Sequence, residues 1–433
     1  MSSSFTWSTP LRITDTPDGG INDIFGYVEG GVIALDSGLV VVTVLSSDSY
    51  AIHCWAINLS GSTPIVGPDC YFNSDSNDWL TPPLADDPKL LAIGNLNHPV
   101  ALGEYKFGIT GEANESYNSD GTVNSSGGYG HVASIFSVDP DTLAVTRDHF
   151  IVGSWLAGEA VQAEATSARW GNKMVITSDE LTFNSATSTF NPYKIWVIDS
   201  DTGALTIHNI PYLNSNQNPS AIAVAGDTAY WWQNDNPGGP YLMKSMALGG
   251  GSPAVLTSPG DPNDNNFTWY GCGLTDRSVV WTLAGDFGTS DYPLNIGFAS
   301  ASTGNIEITD IRDIGTGWTG GWYAPTRAVT QQGDDETVLV SYVEGGIFKY
   351  RAYTPTGSGL TLASTDVIAD FSDSLHYYDY FCADTASLPS GGAVAMWISR
   401  HYNGGGSNFG IYISWSERGS ITGEIGPGDV RFS

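Results

Sequence analysis

Apolar positions in this chain come in short runs of two kinds. One kind is continuous, as in Leu39-Val-Val-Val-Thr-Val; the other alternates, as in Ala51-Ile-His-Cys-Trp-Ala-Ile. A continuous run predicts a strand buried on both faces, and alternation predicts a strand with one wet face. The pair recurs near the other end of the chain, as Gly392-Ala-Val-Ala-Met-Trp followed by Gly410-Ile-Tyr-Ile-Ser-Trp. Five more sets lie between them. Examples are Thr166-Ser-Ala-Arg-Trp with Lys173-Met-Val-Ile-Thr and Lys194-Ile-Trp-Val-Ile, and Lys89-Leu-Leu-Ala-Ile-Gly with Pro99-Val-Ala-Leu-Gly-Glu-Tyr and His131-Val-Ala-Ser-Ile-Phe-Ser-Val. Each set ends in a turn motif: Asn58-Leu-Ser-Gly, Asp139-Pro-Asp-Thr, Asp199-Ser-Asp-Thr-Gly, Leu248-Gly-Gly-Gly, Ser300-Ala-Ser-Thr-Gly, Thr354-Pro-Thr-Gly and Ser416-Glu-Arg-Gly. A repeat of about 50–70 residues, each with several short strands, predicts a radial β array in which no repeat can bury its faces without its neighbours.

The first strand of each set favours Ala, Gly, Ser or Cys, which fit where strands converge on a crowded axis. Ala34-Leu-Asp-Ser-Gly-Leu-Val-Val and Phe409-Gly-Ile-Tyr resemble the repeats of seven-bladed β-propellers found in bacterial and phage surface and virion proteins. The expectation is therefore all-β: residues 1–433 as one propeller of seven four-stranded antiparallel blades. An N-terminal strand at about 9–15 is expected to complete the last blade, because an unpaired edge invites aggregation. The Gly/Ser/Asn-rich stretch 111–130 reads as a long inserted loop.

Composition narrows the partners. Lys and Arg total 16 against 46 Asp and Glu, a formal net charge of −30. Such a surface repels phosphate backbones and anionic membranes, so nucleic acid and membrane insertion are not expected. Met1-Ser-Ser-Ser-Phe-Thr-Trp lacks the basic start and apolar core of a secretion signal, which predicts synthesis in a cytoplasm. Among the four cysteines, Cys54 and Cys70 flank a turn almost symmetrically and read as small half-buried thiols, with a bridge as the alternative. Cys272 and Cys382 read as small core residues.

No motif announces a reaction. Ser74-Asp-Ser-Asn-Asp-Trp only faintly echoes the boxes of sialidases. Asp78, Glu104, Glu159, Asp179 and Glu344 are undistinguished as glycosidase carboxylates. Seven histidines form no zinc-binding spacing. Asp261-Pro-Asn-Asp-Asn-Asn and Asp139-Pro-Asp could supply oxygen ligands to Ca²⁺, the one metal the composition suggests, and no cofactor is expected otherwise. The binding candidates are aromatic: Trp318, Trp322 and Tyr323 in a Gly-rich segment, and Tyr377, Tyr378 and Tyr380 in a tyrosine cluster. The reading is a non-enzymatic structural or interaction protein of a tailed-phage virion, made in the host cytoplasm. It would be present in many copies, contacting other virion proteins and a host-surface glycan or receptor. The alternative is an extracellular carbohydrate-active propeller enzyme or lectin.

Overall fold

In the computed structural model every regular element among the described residues is a strand, as expected. The structure describes residues 5–13, 30–46, 51–61, 63–72, 99–113, 116–117, 123–124, 130–152, 166–178, 183–184, 189–190, 193–210, 220–234, 241–257, 267–273, 279–284, 292–299, 306–314, 328–332, 337–344, 347–356, 359–370, 376–377, 383–402 and 407–418. Among these residues no helix is long and apolar enough to cross a membrane.

The strands form antiparallel sheets built of consecutive pieces of chain, as in a β-propeller. The first sheet holds Gly30–Ala34, Val40–Ser46, Ala51–Asn58 and Ile65–Val66, with Cys70–Phe72 also paired to the third strand. The second holds Val100–Ala101, Lys106–Ala113, Gly130–Val138 and Val145–Val152. The third holds Thr166–Trp170, Lys173–Ser178, Tyr193–Asp199 and Leu205–Ile210. The fourth runs from Ser220–Ala225 through Thr228–Asn234 and Tyr241–Ala247 to Ala254–Thr257. The fifth runs from Phe267–Gly273 through Val279–Ala284 and Tyr292–Ala299 to Ile306–Ile314. The sixth runs from Ala328–Gln332 through Thr337–Glu344 and Ile347–Thr356 to Gly359–Asp370. The last holds Ala383–Ser387, Ala393–Tyr402 and Ser407–Arg418. The four-stranded antiparallel blade is the rule: five of these sheets have four strands, one has five because its outer strand is split in two, and one has six.

Continuous apolar runs make sense once the seams between sheets are traced. In Val40–Ser46, Val41 joins Phe107, Ile109 and Phe136 of the second sheet, while Val40, Val42 and Val44 join Val394, Met396 and Ile411 of the last. Successive side chains of a strand point to opposite faces, so a strand sandwiched between two sheets is apolar on both, save where a buried hydroxyl such as Thr43 is hydrogen-bonded. Lys173–Ser178 repeats the device, with Met174 and Ile176 against the second sheet and Val175 against the fourth. Six such apolar clusters are formed among the described residues. Each fully buried Val or Ile in them contributes about 1.5–3 kcal/mol.

Crowding between neighbouring sheets explains small residues on their inner and second strands. A methyl on Gly273 would collide with the Val224 carbonyl of the neighbouring inner strand. One on Gly108 would sit 2.6 Å from Met174 Sδ across the seam between the second and third sheets.

The last sheet takes its outer strand from the N-terminal segment. Phe5–Trp7 pairs with Ser416–Arg418 and Leu11–Arg12 with Tyr412–Ile413. This is two short strands rather than one at 9–15. Pro10 has no N–H to donate between them, and Ser8 fills the break: its N–H donates to Trp415 O (2.7 Å) and its Oγ accepts the Trp415 N–H (3.0 Å).

The second sheet corrects the sequence reading by one strand. Its inner strand is Val100–Ala101 and its second strand Lys106–Ala113, whereas Lys89–Gly94 and Pro99–Tyr105 were expected. The expected insertion at 111–130 therefore begins inside a strand. Gly111, Glu112 and Ala113 pair with Val132, His131 and Gly130. Glycine content made this strand look like a loop. Residues 89–94 lie outside the described residues.

Candidate functional site

Antiparallel order gives each sheet two distinct ends. Connections from first to second and from third to fourth strand leave at one end. Those from second to third strand, and from the fourth strand to the next sheet, leave at the other.

Where it is described, the first end consists of tight turns. Leu35 N–H donates to Leu39 O and Leu388 N–H to Gly392 O, both at 2.8 Å, with Gly38 and Gly391 at positive φ. Asp139 Oδ1 accepts the N–H groups of Asp141 (2.9 Å) and Thr142 (3.0 Å), and Asp199 Oδ1 accepts those of Asp201 and Thr202. Asp139-Pro-Asp is thus a turn former whose carboxylate is already engaged, and no cluster of metal-ligating side chains occurs among the described residues.

Ion pairs stitch this end together. Arg169 grips Asp36 bidentately, at 2.6 and 2.7 Å, from a strand two sheets away. Lys106 Nζ donates to Asp201 Oδ1 (2.8 Å) and to Ser200 O (3.2 Å), and Asn172 donates to Asp201 Oδ2 (2.8 Å). The Arg169 guanidinium holds the Asp36 carboxyl below the ordinary aspartate range. Lys106 and Asn172 do the same to Asp201, and the Thr142 and Asp141 N–H groups to Asp139. A depressed carboxyl contributes stability above its unfolded pKa of about 3.9 and loses it as pH falls through the lower folded value. Thermal scans should therefore show Tm falling below about pH 4, with a shallower fall in Asp36→Asn. An equal acid slope in the variant would remove Asp36 from this role.

The second end carries the long connections. Among them are 73–99, 114–129, 153–165, 179–192, 315–327 and 371–382. Both two-stranded ribbons belong to this end: Ser116–Tyr117 with Val123–Asn124, and Phe183–Asn184 with Thr189–Phe190. His376–Tyr377 pairs there with His401 and Arg400, at the far end of the second strand of the last sheet. Among the described residues, Tyr105 is the one aromatic residue in the turns of the first end, whereas the sequences of the long connections carry many.

The sequence candidates sort by end. Trp318, Trp322 and Tyr323 lie between Ile306–Ile314 and Ala328–Gln332, and Tyr378 and Tyr380 between Gly359–Asp370 and Ala383–Ser387. All five are outside the described residues, but the strands that deliver them end at the second end. Tyr377 sits in its short strand opposite Arg400. Asp78, Glu159, Asp179 and the Asp261 segment also lie outside the described residues, in connections of the second end. Glu344 closes a second strand there, opposite Ile347. Glu104 is separated from them: it is an exposed residue in a turn of the first end. It leaves the set of carboxylates that could act together.

Buried polar groups near the axis escaped the sequence reading. Asp384, 1% exposed on the inner strand of the last sheet, accepts the Val32 N–H through Oδ2 (2.8 Å) and the Thr385 N–H through Oδ1 (2.8 Å). Thr385 Oγ1 donates to Ser341 Oγ (3.0 Å) in the sixth sheet. Thr166 Oγ1 likewise accepts the Ile222 N–H of the fourth sheet (3.0 Å) and lies 2.9 Å from Thr177 Oγ1. The signal was a hydroxyl set inside an apolar run, at Thr43, Thr110, Thr177 and Ser341, all buried. Asp384, Thr385 and Thr166 pin sheet to sheet, which is a structural role.

No family model matches the chain, and no curated protein matches it. Solved structures do. An oligogalacturonate lyase from Vibrio parahaemolyticus is 11% identical, over 96% of this chain and 97% of that one, with a TM-score of 0.47. The NanB sialidase of Streptococcus pneumoniae is 11% identical, over 95% and 71%, with a TM-score of 0.44. A protein of unknown function from Dyadobacter fermentans is 10% identical, over 95% and 99%, with a TM-score of 0.43. Enzymes stand among these likenesses, so the expectation that the chain is not an enzyme is not kept. That expectation rested on missing local motifs. A propeller gathers side chains from separate sheets, so a site there need leave no motif in the sequence. At such identities the likeness transfers no activity. What is shown is the architecture: the chain is an all-β propeller of antiparallel, mostly four-stranded blades.

Proposed function

We propose that this chain is a carbohydrate-directed propeller working outside the cell, as a lectin or a polysaccharide-active enzyme, with its ligand held at the end bearing the long connections. The observation that carries this is the placement of strand ends. The segments holding Trp318, Trp322 and Tyr323, and Tyr377, Tyr378 and Tyr380, start and finish at one end, in neighbouring gaps between sheets. Connections holding Asp78, Glu159 and Asp179 leave at the same end. Aromatic faces stack on the C–H faces of sugar rings, and carboxylates accept their hydroxyls or act as an acid–base pair. With a net charge of −30, polyuronates and sialosides would be repelled, so the expected ligands are neutral or amino-sugar glycans.

The scaffold of this reading is one closed ring of seven blades. It is supported by the inner strands, each lying against the next, with Ala383–Ser387 returning to Gly30–Ala34. An experimental structure with six or eight blades would overturn that count.

Glycan-array binding tests the function. Trp318→Ala with Trp322→Ala should weaken binding about 30-fold, the loss of about 2 kcal/mol expected of an aromatic anchor, without changing Tm or the β circular-dichroism signal. Undiminished glycan binding by the folded double variant would overturn the site. A protein that binds no glycan but is incorporated into phage particles would restore the virion reading.

A further inference from the structure

We propose that Cys54 and Cys70 form a reversible dithiol–disulfide pair that fastens the short outer strand Cys70–Phe72 to the first sheet. The two residues are direct partners in the antiparallel register, and both are thiols in this structure. Opposed residues in such a pair have Cα atoms about 4.5 or 5.5 Å apart, and both spacings fall within the range a disulfide spans. No strand needs to move. Both side chains face the same apolar cluster, with Ile52, Phe72 and Val145. Cys70 Sγ accepts the Val145 N–H of the second sheet (3.3 Å) and lies 3.6 Å from Pro68 O, so its position is fixed by neighbours on two sides.

The chemistry is exchange with a small-molecule disulfide, for which glutathione disulfide is the probe. Cys70 is 8% exposed and lies on a three-residue edge strand, whereas Cys54 is fully buried, so Cys70 reacts first. It loses its proton and its thiolate attacks one sulfur of the probe. The probe's S–S bond breaks, and one glutathione thiolate departs and is protonated. Cys54 then loses its proton and attacks Cys70 Sγ, expelling the second glutathione. Two protein thiols are oxidised by two electrons, and the probe is reduced to two thiols. Burial pushes both thiols up, Cys54 further than Cys70. The exchange should therefore be slow at neutral pH and quicken as pH rises.

The experiment is incubation of the native full chain with glutathione disulfide at rising pH, followed by intact mass and peptide mapping. The expected product has lost two hydrogens and carries a Cys54–Cys70 link that a dithiol reverses. Cys54→Ala should stop at a glutathione adduct on Cys70. The linked form should melt about 3 °C higher than the reduced one, since the bridge closes a short loop in a long chain, and no such rise should appear in Cys54→Ala. The proposal is overturned if the wild-type mass is unchanged at alkaline pH, if the wild type also stops at the adduct, or if the link involves Cys272 or Cys382.

Discussion

Removing residues 1–13 should strip the last blade of its outer strand and unfold or aggregate the protein. The loss includes the pairings of Phe5–Trp7 and Leu11–Arg12 and the hydrogen bonds that Ser8 and Ile13 make to Trp415 and Ile411. It also uncovers Ile411 and Ile413, now fully buried, and removes Ile13 from their cluster. Trp7 goes as well, with its edge-on contact to Tyr350 of the preceding sheet (5.7 Å). Two apolar side chains and several hydrogen bonds sum to about 5 kcal/mol or more. A whole domain holds only about 5–15 kcal/mol in reserve. The expected result is insoluble protein, or a Tm lowered by about 5 °C or more with new binding of an apolar dye. A peptide spanning residues 1–13, added in trans, should restore part of the loss because it re-covers the edge. A truncated protein with unchanged Tm would show that the closure contributes nothing.

Asp384→Ala attacks the same closure from the inside. Asp384 joins the inner strand of the last sheet to that of the first, 352 positions away in sequence. Its removal leaves the Val32 and Thr385 N–H groups buried without this acceptor, at about 1–3 kcal/mol each. A loss of about 3–5 kcal/mol follows by urea unfolding. Asp384→Asn keeps an oxygen for one N–H and should cost less, about 1–2 kcal/mol. Equal losses in the two variants would mean that the charge, not the hydrogen bonding, holds the seam.

Much of the architecture was legible because each seam writes itself into local sequence. A strand between two sheets is apolar on both faces, so Val40-Val-Val and Val338-Leu-Val announce their burial. The turn motifs marked third-to-fourth connections because Asn58, Asp139 and Asp199 each turn the chain with their own side chain. The second sheet was misplaced because Phe107-Gly-Ile-Thr-Gly breaks its apolar run with glycines. Gly108 makes room for Met174 across the seam, and nothing nearby in sequence says so. Asp384 was illegible for a related reason: Ala383-Asp-Thr-Ala-Ser reads as a polar stretch, and the N–H it serves lies at the opposite end of the chain. The site was legible only as residue types. Aromatic and acidic segments could be named, but which of them share an end depends on strand order, and strand order moved Glu104 away from the rest.

The most direct measurement is an experimental structure with the tightest-binding oligosaccharide from a glycan array. The carbohydrate should lie at the end of the long connections, stacked on Trp318, Trp322 or the Tyr377–Tyr380 cluster, with the tight-turn end around Asp36 and Arg169 bare. A sugar seated at the tight-turn end, or failure of every neutral and amino-sugar glycan to bind the folded protein, would contradict it.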